Sequence, residues 1–520
     1  MKTLFINSKV WTGNRNFTDA LGFDSETGKV TFTGNSRESG KIRHEYNEVI
    51  DLNKKLVLPA FTDGHCHFIK GAFINSQLNL RNASTVNEFT EGIKKYRTIN
   101  SALWIYGGYF SEANFKEAFT PGIEFLDEIC GDVPVIISRF DLHSAFVNTK
   151  AVEISGILSR EKEFTDEEIV KKDNIFTGEV KERAREYILE KIPLPDLRER
   201  TETVLNQISK LHSFGITSIS DITMPEDLEV YKELINSDKL LLNVDSRLPF
   251  TEAGNIEKYK REFGEISGKI KFNSLKAFYD GSLSSKTAYM FSDYKNTGSN
   301  GIRTEYAASG DFEKAAFEID KAGYQISVHA IGDKAVSELL NLNEEIIKQN
   351  GIRDRRFRIE HAQHIAESDF KRFRDLNVIA SVQPSHLFSD AITAMTILPD
   401  PGSEHNYGKL FDHGAHVCFG TDFPVVSENP FETLHYAVTR KAKGFPDGFY
   451  NDLRISLPDC LKSYTEENSY AAFDENKRGK LIPGQDADII VLEDDIFNID
   501  EDEIKNGKIN MTYFQGYRIY

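Results

Sequence analysis

The sequence predicts a (β/α)8 barrel that carries a small β-sandwich built from both chain ends and an α/β insertion after the first barrel strand. Three observations lead there. Eight strand-like runs alternate with helical patterns through the middle of the chain, and eight is the number that closes a barrel. Both chain ends read as short strands and turns. Between the first run and the second lies a stretch too long for a barrel loop.

Residues 1–55 supply TLFIN, KVWTG, KVTFTGN and NEVIDL, separated by glycine and asparagine and without helical periodicity. GKLIPGQDADIIVLEDD at 479–495 and MTYFQGYRIY at 511–520 match them at the other end. Residues 1–55 and 470–520 are therefore expected to pair into the sandwich, with the barrel domain over 56–469. The barrel opens with LVLPAFTDGHCHF, residues 56–68, read as one strand entering a histidine pair. From about 70 to 205 comes the insertion, placed to form a wall or lid. VNEFTEGIKKYRTI is an amphipathic helix, ALWIYGGYF and VPVIISRFDLHSAFVN hold strands, and FTDEEIVKK and EVKERAREYILEKI read as helical. The remaining strands are expected at 215–222, 241–248, 273–280, 324–331, 356–363, 377–384 and 416–422. Helical segments such as TETVLNQISKLHSF and KAVSELLNLNEEIIKQN separate most of them. A Rossmann sheet is disfavoured because no GxGxxG turn follows any of these strands.

The 520 residues exceed one ordinary core. With 40% hydrophobic and 28% charged residues the composition is globular, and a formal charge of -18 argues against a phosphate-binding stripe and an anionic membrane surface. No run approaches the ~18 apolar residues of a spanning helix, and the first residues lack a signal peptide's apolar core. A soluble, cytoplasmic protein is expected, without nucleic-acid or membrane partners. Cys66, Cys130, Cys418 and Cys460 lie far apart without a CxxC, as reduced thiols do.

Chemistry in a barrel sits at the C-terminal ends of the strands. Those ends carry His65 and His67 on strand one, Lys276 on four, His329 on five, His361 on six and Asp422 on eight. Two histidines one residue apart on a strand face the same way, with Cys66 facing the other, so both reach one metal ion. A histidine after a single strand is commonly a core or rim residue. Four of them with an aspartate, at four strand ends, point to a metal site.

HCH, the strand-four lysine, VHA, IEHAQ, FGTDFP and the terminal GKLIPGQDADIIVLE together resemble the amidohydrolase superfamily of metal-dependent hydrolases. LKAFYDGSLSSKTA at 275–288, with TGEV and QPSH, is similar to the branch that includes N-substituted formamide deformylase. Ser284 and Lys286 stand where that branch usually has Gly and Arg, and PAFTDGHCHF departs slightly from PGFxDxHxH. The resemblance implies that His65, His67 and Asp422 hold one divalent ion and His329 and His361 a second. Lys276, carboxylated, would bridge them. Zinc suits such ligands, and iron, manganese or nickel fit the same list. By the same resemblance Asp422 moves the proton from the metal-activated water to the leaving amine, and His143 in RFDLHSAFVN donates to the substrate carbonyl. Asp280 and His386 are candidate substrate contacts, and a homodimer is expected.

The implied reaction is hydrolysis of a non-peptide carbon–nitrogen bond in an amide, N-substituted formamide or cyclic amide. A mononuclear site, with Lys276 as a charge partner for Asp280 or a substrate carboxylate, remains open. So do a deaminase, which normally places a Glu near strand five where SVHAIGD has none, and a non-catalytic barrel. Phe68, Phe73, Tyr109, Phe110, Phe140 and Phe146 around the insertion suit an aromatic substituent or simply a core.

Overall fold

The computed structural model describes residues 1–13, 16–99, 103–139, 143–193, 195–264 and 266–520. They form two compact units, Met1–Ile69 with Leu205–Tyr520, and Lys70–Val204.

The first unit holds the barrel. Its eight parallel strands follow one another around the sheet in chain order: Phe61–Cys66, Ile216–Ile222, Asn243–Pro249, Ile270–Phe278, Gln325–Ala330, Arg358–His361, Ile379–Val382 and His416–Phe419. They are buried along nearly their whole length, apolar and polar positions alike: Ser220, Asp221, Asp245, Arg247, Arg358 and Glu360 are as enclosed as Ile219, Val244 and Ile359. The first and eighth strands join at their C-terminal ends. Asp422 N donates to His65 O at 2.7 Å and His67 N to Phe423 O at 2.8 Å. Asn468 bridges the same seam, donating to Thr62 O at 2.6 Å and Phe419 O at 2.9 Å.

Two further sheets accompany the barrel. Lys29–Gly34, Ala20–Asp24, Lys2–Ile6 and Glu48–Asp51 form one sheet from the N-terminal segment alone. The other draws on both chain ends, with Ile489–Leu492 lying between Ile509–Phe514 and Leu56–Pro59. Phe5, Phe23, Val57, Leu481, Ile489 and Tyr513 pack into one buried core. Two sequence expectations are corrected here. The run from Leu56 is two strands: Leu56–Pro59 pairs in the sandwich sheet, and only Phe61–Cys66 enters the barrel. The change of partner falls between consecutive residues, Ala60 N donating to Asp488 O and Phe61 N to Gly215 O, just after a proline that has no N–H to give a ladder. The N-terminal segment also contains a helix, Ser36–Ile42, opened by an Asn35–Glu38 capping box.

In the second unit the strands order as Ile169–Lys172, Ile175–Lys181, Ser144–Val147, Val135–Arg139, Ile105–Phe110 and Leu78–Asn79. Helices Val86–Ile99, Ile123–Cys130, Thr149–Ser155 and Glu182–Leu189 accompany them. FTDEEIVKK is not helical: its end is the strand Ile169–Lys172, turned into a hairpin by Asp173 and Asn174 at φ 52° and 63°. Two consecutive left-handed residues make the two-residue turn that suits twisted hairpins. Among the described residues no helix is long and apolar enough to cross a membrane.

Candidate metal centre

His65 is the penultimate residue of the first barrel strand and His67 follows its end, their rings 6.0 Å apart. Asp422 lies three residues beyond the eighth strand in a left-handed conformation, φ 58°. Its Oδ1 stands 3.3 Å from His65 Nε2 and 3.4 Å from His67 Nε2. The seam that allows this needs Gly420, because a Cβ there would meet His65 N at 2.4 Å and His65 Cβ at 2.7 Å. Asp63 ties the same seam, accepting from His65 N at 3.1 Å and from Thr421 N at 3.0 Å. Burial raises the Asp63 carboxyl to about 6 against those hydrogen bonds.

Behind His65 lies a carboxylate that the ligand pattern did not single out. Glu360, fully buried, accepts from His65 Nδ1 at 2.5 Å and from Arg247 Nη1 at 3.0 Å. Arg358 and Ser327 also donate to it. Burial alone would raise Glu360, but Arg358, His65 and Arg247 hold it well below the usual carboxylate range. An ionised acceptor at Nδ1 makes that nitrogen the donor and leaves Nε2 to face Asp422. The alternation R-x-E in RIEHAQ was the signal for Glu360 and Arg358 sharing a face; Arg247 had none.

The histidines of strands five and six meet, with the His329 and His361 rings 4.4 Å apart and His361 5.1 Å from His65. His361 takes φ 71° and fixes its ring through Gln383, Nδ1 to Oε1 2.8 Å. Burial, with Lys276 second, lowers His329 to about 3, and burial lowers His361 well below its ordinary value. Both are neutral imidazoles, the form that binds metals. Lys276 is buried and its Nζ has no hydrogen-bond partner among the described residues. Burial lowers it to about 8, so a neutral amine is accessible near neutral pH. The Phe278 ring lies 4.4 Å from Nζ and 5.3 Å from the His329 ring, and it is 46% exposed.

The remaining sequence candidates are placed differently. Asp280 is buried and accepts from Ile331 N, Gly332 N and Tyr289 N at 3.0, 2.9 and 2.9 Å. Its oxygens are thus engaged by main chain, and His329 Nε2, 3.7 Å away, has its hydrogen bond to Gly281 O at 3.1 Å. Burial raises Asp280 to about 7. His386 reaches Thr421 O at 3.3 Å and stacks 6.4 Å from His361. In the other unit His143 is exposed, with Nδ1 3.1 Å from Glu182 Oε1. Phe110 and Phe146 are core, Phe68 is buried, and Phe140 lies outside the described residues.

The donor atoms of His65, His361 and Asp422 all lie within 4.8 Å of one another, and Asp422 Oδ1 makes no hydrogen bond among the described residues. Burial would raise Asp422, yet His65 and His67 hold it well below the usual range. Two ligands about 2.1 Å from one tetrahedral ion stand about 3.4 Å apart, which is the spacing from Asp422 to each imidazole. A divalent cation fits this donor set.

The family model for the amidohydrolase family matches residues 48–520. The chain belongs to the amidohydrolase family. This amidohydrolase is 28% identical over 539 residues to Protein LONG AFTER FAR-RED 3 of Arabidopsis thaliana, covering 99% of this chain and 91% of that one. It is 22% identical to N-substituted formamide deformylase of Arthrobacter pascens, covering 99% and 98%. Among solved structures, an uncharacterized metal-dependent hydrolase from Pyrococcus horikoshii OT3 superimposes with a TM-score of 0.76 at 24% identity, covering 96% of this chain and 99% of that one. The barrel and the family expected from the sequence are both borne out. As a member of this family the amidohydrolase is a hydrolase.

Proposed function

We propose that the amidohydrolase cleaves a non-peptide carbon–nitrogen bond of an amide, N-substituted formamide or cyclic amide. The observation that carries the reading is Asp422 Oδ1, unbonded and 3.3–3.4 Å from two imidazole Nε2 atoms. In this reading His65, His67 and Asp422 hold a divalent ion, with zinc favoured by the imidazole and carboxylate donors. His329 and His361 hold a second, and Lys276 bridges as its carbamate. When bound, such an ion polarises a carbonyl and makes water a usable nucleophile at neutral pH. Asp422, ionised before attack, accepts the proton and returns it to the leaving nitrogen. Glu360 and Arg247 fix His65, and Gly281 O holds His329 Nε2. Phe278 offers an apolar face to the substituent on the scissile bond. The formamide deformylase relative supports this substrate class.

The tight grouping of His65, His361 and Asp422 supports a second reading with one ion, in which Lys276 stays an amine. Metal content per chain, measured by plasma mass spectrometry on protein prepared without chelator or histidine tag, separates the two. About two ions, falling in Lys276→Ala, support the bridged site; one ion, unchanged by that variant, supports the other. A panel of N-substituted formamides and cyclic amides is then assayed before and after metal removal. Cleavage that survives complete metal removal would refute both.

A further inference from the structure

The insertion unit contains a cavity of its own, lined by Gln77, Tyr106, Tyr109, Ser138, Arg185 and Leu189 with Ile192, Pro193 and Pro195 at its edge. None of the barrel's proposed ligands lines it. Its volume, about 310 Å3, is that of a small-molecule site, and roughly twice the ~150 Å3 that holds a benzene ring.

Arg185, Ser138 and Gln77 give the cavity its polar lining, and Leu189, Ile192 and the two prolines give it an apolar wall. Arg185 is 92% buried, at 8% exposure, which is rare for a guanidinium without full pairing. Its Nη1 donates to Glu186 at 2.6 Å and its Nη2 only weakly to Ser138 Oγ, at 3.3 Å. Its Nε has no hydrogen-bond partner among the described residues. The Glu186 carboxylate is 64% exposed, so solvent screens its hold on the guanidinium. Tyr109 also lines the cavity, at φ 59° after Gly107 and Gly108 at φ 115° and 100°. A non-glycine residue held left-handed stores strain of the kind found at ligand clamps. Its hydroxyl is held by Gln77 and its ring by the Arg81 guanidinium, 4.8 Å from the centroid. The aromatic wall is therefore fixed before any ligand arrives.

We propose that this cavity binds a small aromatic carboxylate, the carboxylate on the Arg185 guanidinium and Ser138 Oγ and the ring between Tyr106, Tyr109 and Leu189. A planar guanidinium at the cavity wall, its Nη2 held only by the long bond to Ser138 Oγ, can meet a carboxylate's oxygens, and the apolar walls match a single ring. The inference does not depend on the proposed hydrolysis.

Titration calorimetry of the full chain with phenylacetate and with 2-phenylethanol tests it. Phenylacetate is expected to bind, and the uncharged alcohol at least about tenfold more weakly. Arg185→Gln should weaken phenylacetate by a similar factor. Glu186→Gln, a substitution at an exposed side chain, should tighten it by removing the negative charge that competes for the guanidinium. Asp422→Asn should leave it unchanged. Absence of phenylacetate binding, equal binding of the alcohol, or loss of binding in Asp422→Asn would overturn the assignment. If Arg185→Gln does not fold by circular dichroism, Glu186→Gln decides, and failure to tighten there is also fatal.

Discussion

Glu360 accepts a hydrogen bond from Nδ1 of His65 at 2.5 Å, across a barrel interior that also buries Arg247 and Arg358. The contact fixes which nitrogen His65 shows to Asp422. It also adds to the charge balance on the imidazole: burial pushes His65 down, while Glu360 and Asp422 together hold it above its ordinary value. Glu360 and Asp422 thus favour a proton on His65 where no cation is bound. A bound cation would take that place, so metal binding is expected to release a proton.

Glu360→Gln keeps the shape of the side chain and removes its charge. Arg247 and Arg358 then lose the carboxylate they share. Breaking a buried pair in this way costs about 3–5 kcal/mol, and loosening a metal ligand's orienting partner costs about 10–100-fold in affinity. Urea unfolding and zinc titration of the same preparation should show both losses. A variant as stable and as tight as the parent would mean that Glu360 does not hold His65.

Lys276 gives a pH test with a definite sign. Its folded value, near 8, lies below the about 10.4 of an unfolded lysine. Between the two values the unfolded chain binds more protons, so stability rises with pH there; below 8 the burial cost is fully present. Lys276→Met, in metal-free and carbon-dioxide-free buffer, should exceed the parent in stability at pH 7, by up to about 3 kcal/mol. The gap should shrink between pH 8 and 10. A gap independent of pH would show that Lys276 is not a desolvated amine.

The candidate ligand positions stand out in the sequence because each lies at the end of a run whose length fits one barrel strand, and strand ends are where a barrel keeps its chemistry. His65, Lys276, His329 and Asp422 were legible for that reason. Glu360, Arg247 and Arg358 were harder, since barrel interiors are ordinarily apolar and LLNVDSRL reads as a strand with one wet face. The surroundings of Asp280 were not legible because only the fold brings the amides of Ile331 and Gly332 to it. The split at Ala60 could not be read locally either: both strands are apolar, and their partners, near Ile490 and Ile216, are remote in the chain. FTDEEIVKK has helix-forming side chains, but the left-handed pair Asp173–Asn174 turns its end into a hairpin.

Gly420 is a steric requirement of the seam. A Cβ there would press on His65 main chain and Cβ, neither of which is the far end of a flexible side chain. Gly420→Ala should therefore cost about 1–3 kcal/mol in unfolding measurements and lower the metal bound per chain. Unchanged metal content with unchanged stability would show that the first and eighth strands have more room than their packing indicates.

Asp422 separates binding from turnover. Asn at this position retains an oxygen near His65 and His67 but has no carboxylate to accept a proton. The other histidines are untouched, so much of the metal should stay bound. If the aspartate moves the proton, kcat on any substrate found in the panel should fall about 10²–10⁴-fold. The pH dependence separates this from simple ligand loss. The acidic limb of the parent's kcat/KM profile should flatten in Asp422→Asn, whereas lost metal would be restored by excess zinc. Recovery of full activity with added zinc would assign Asp422 to metal binding alone.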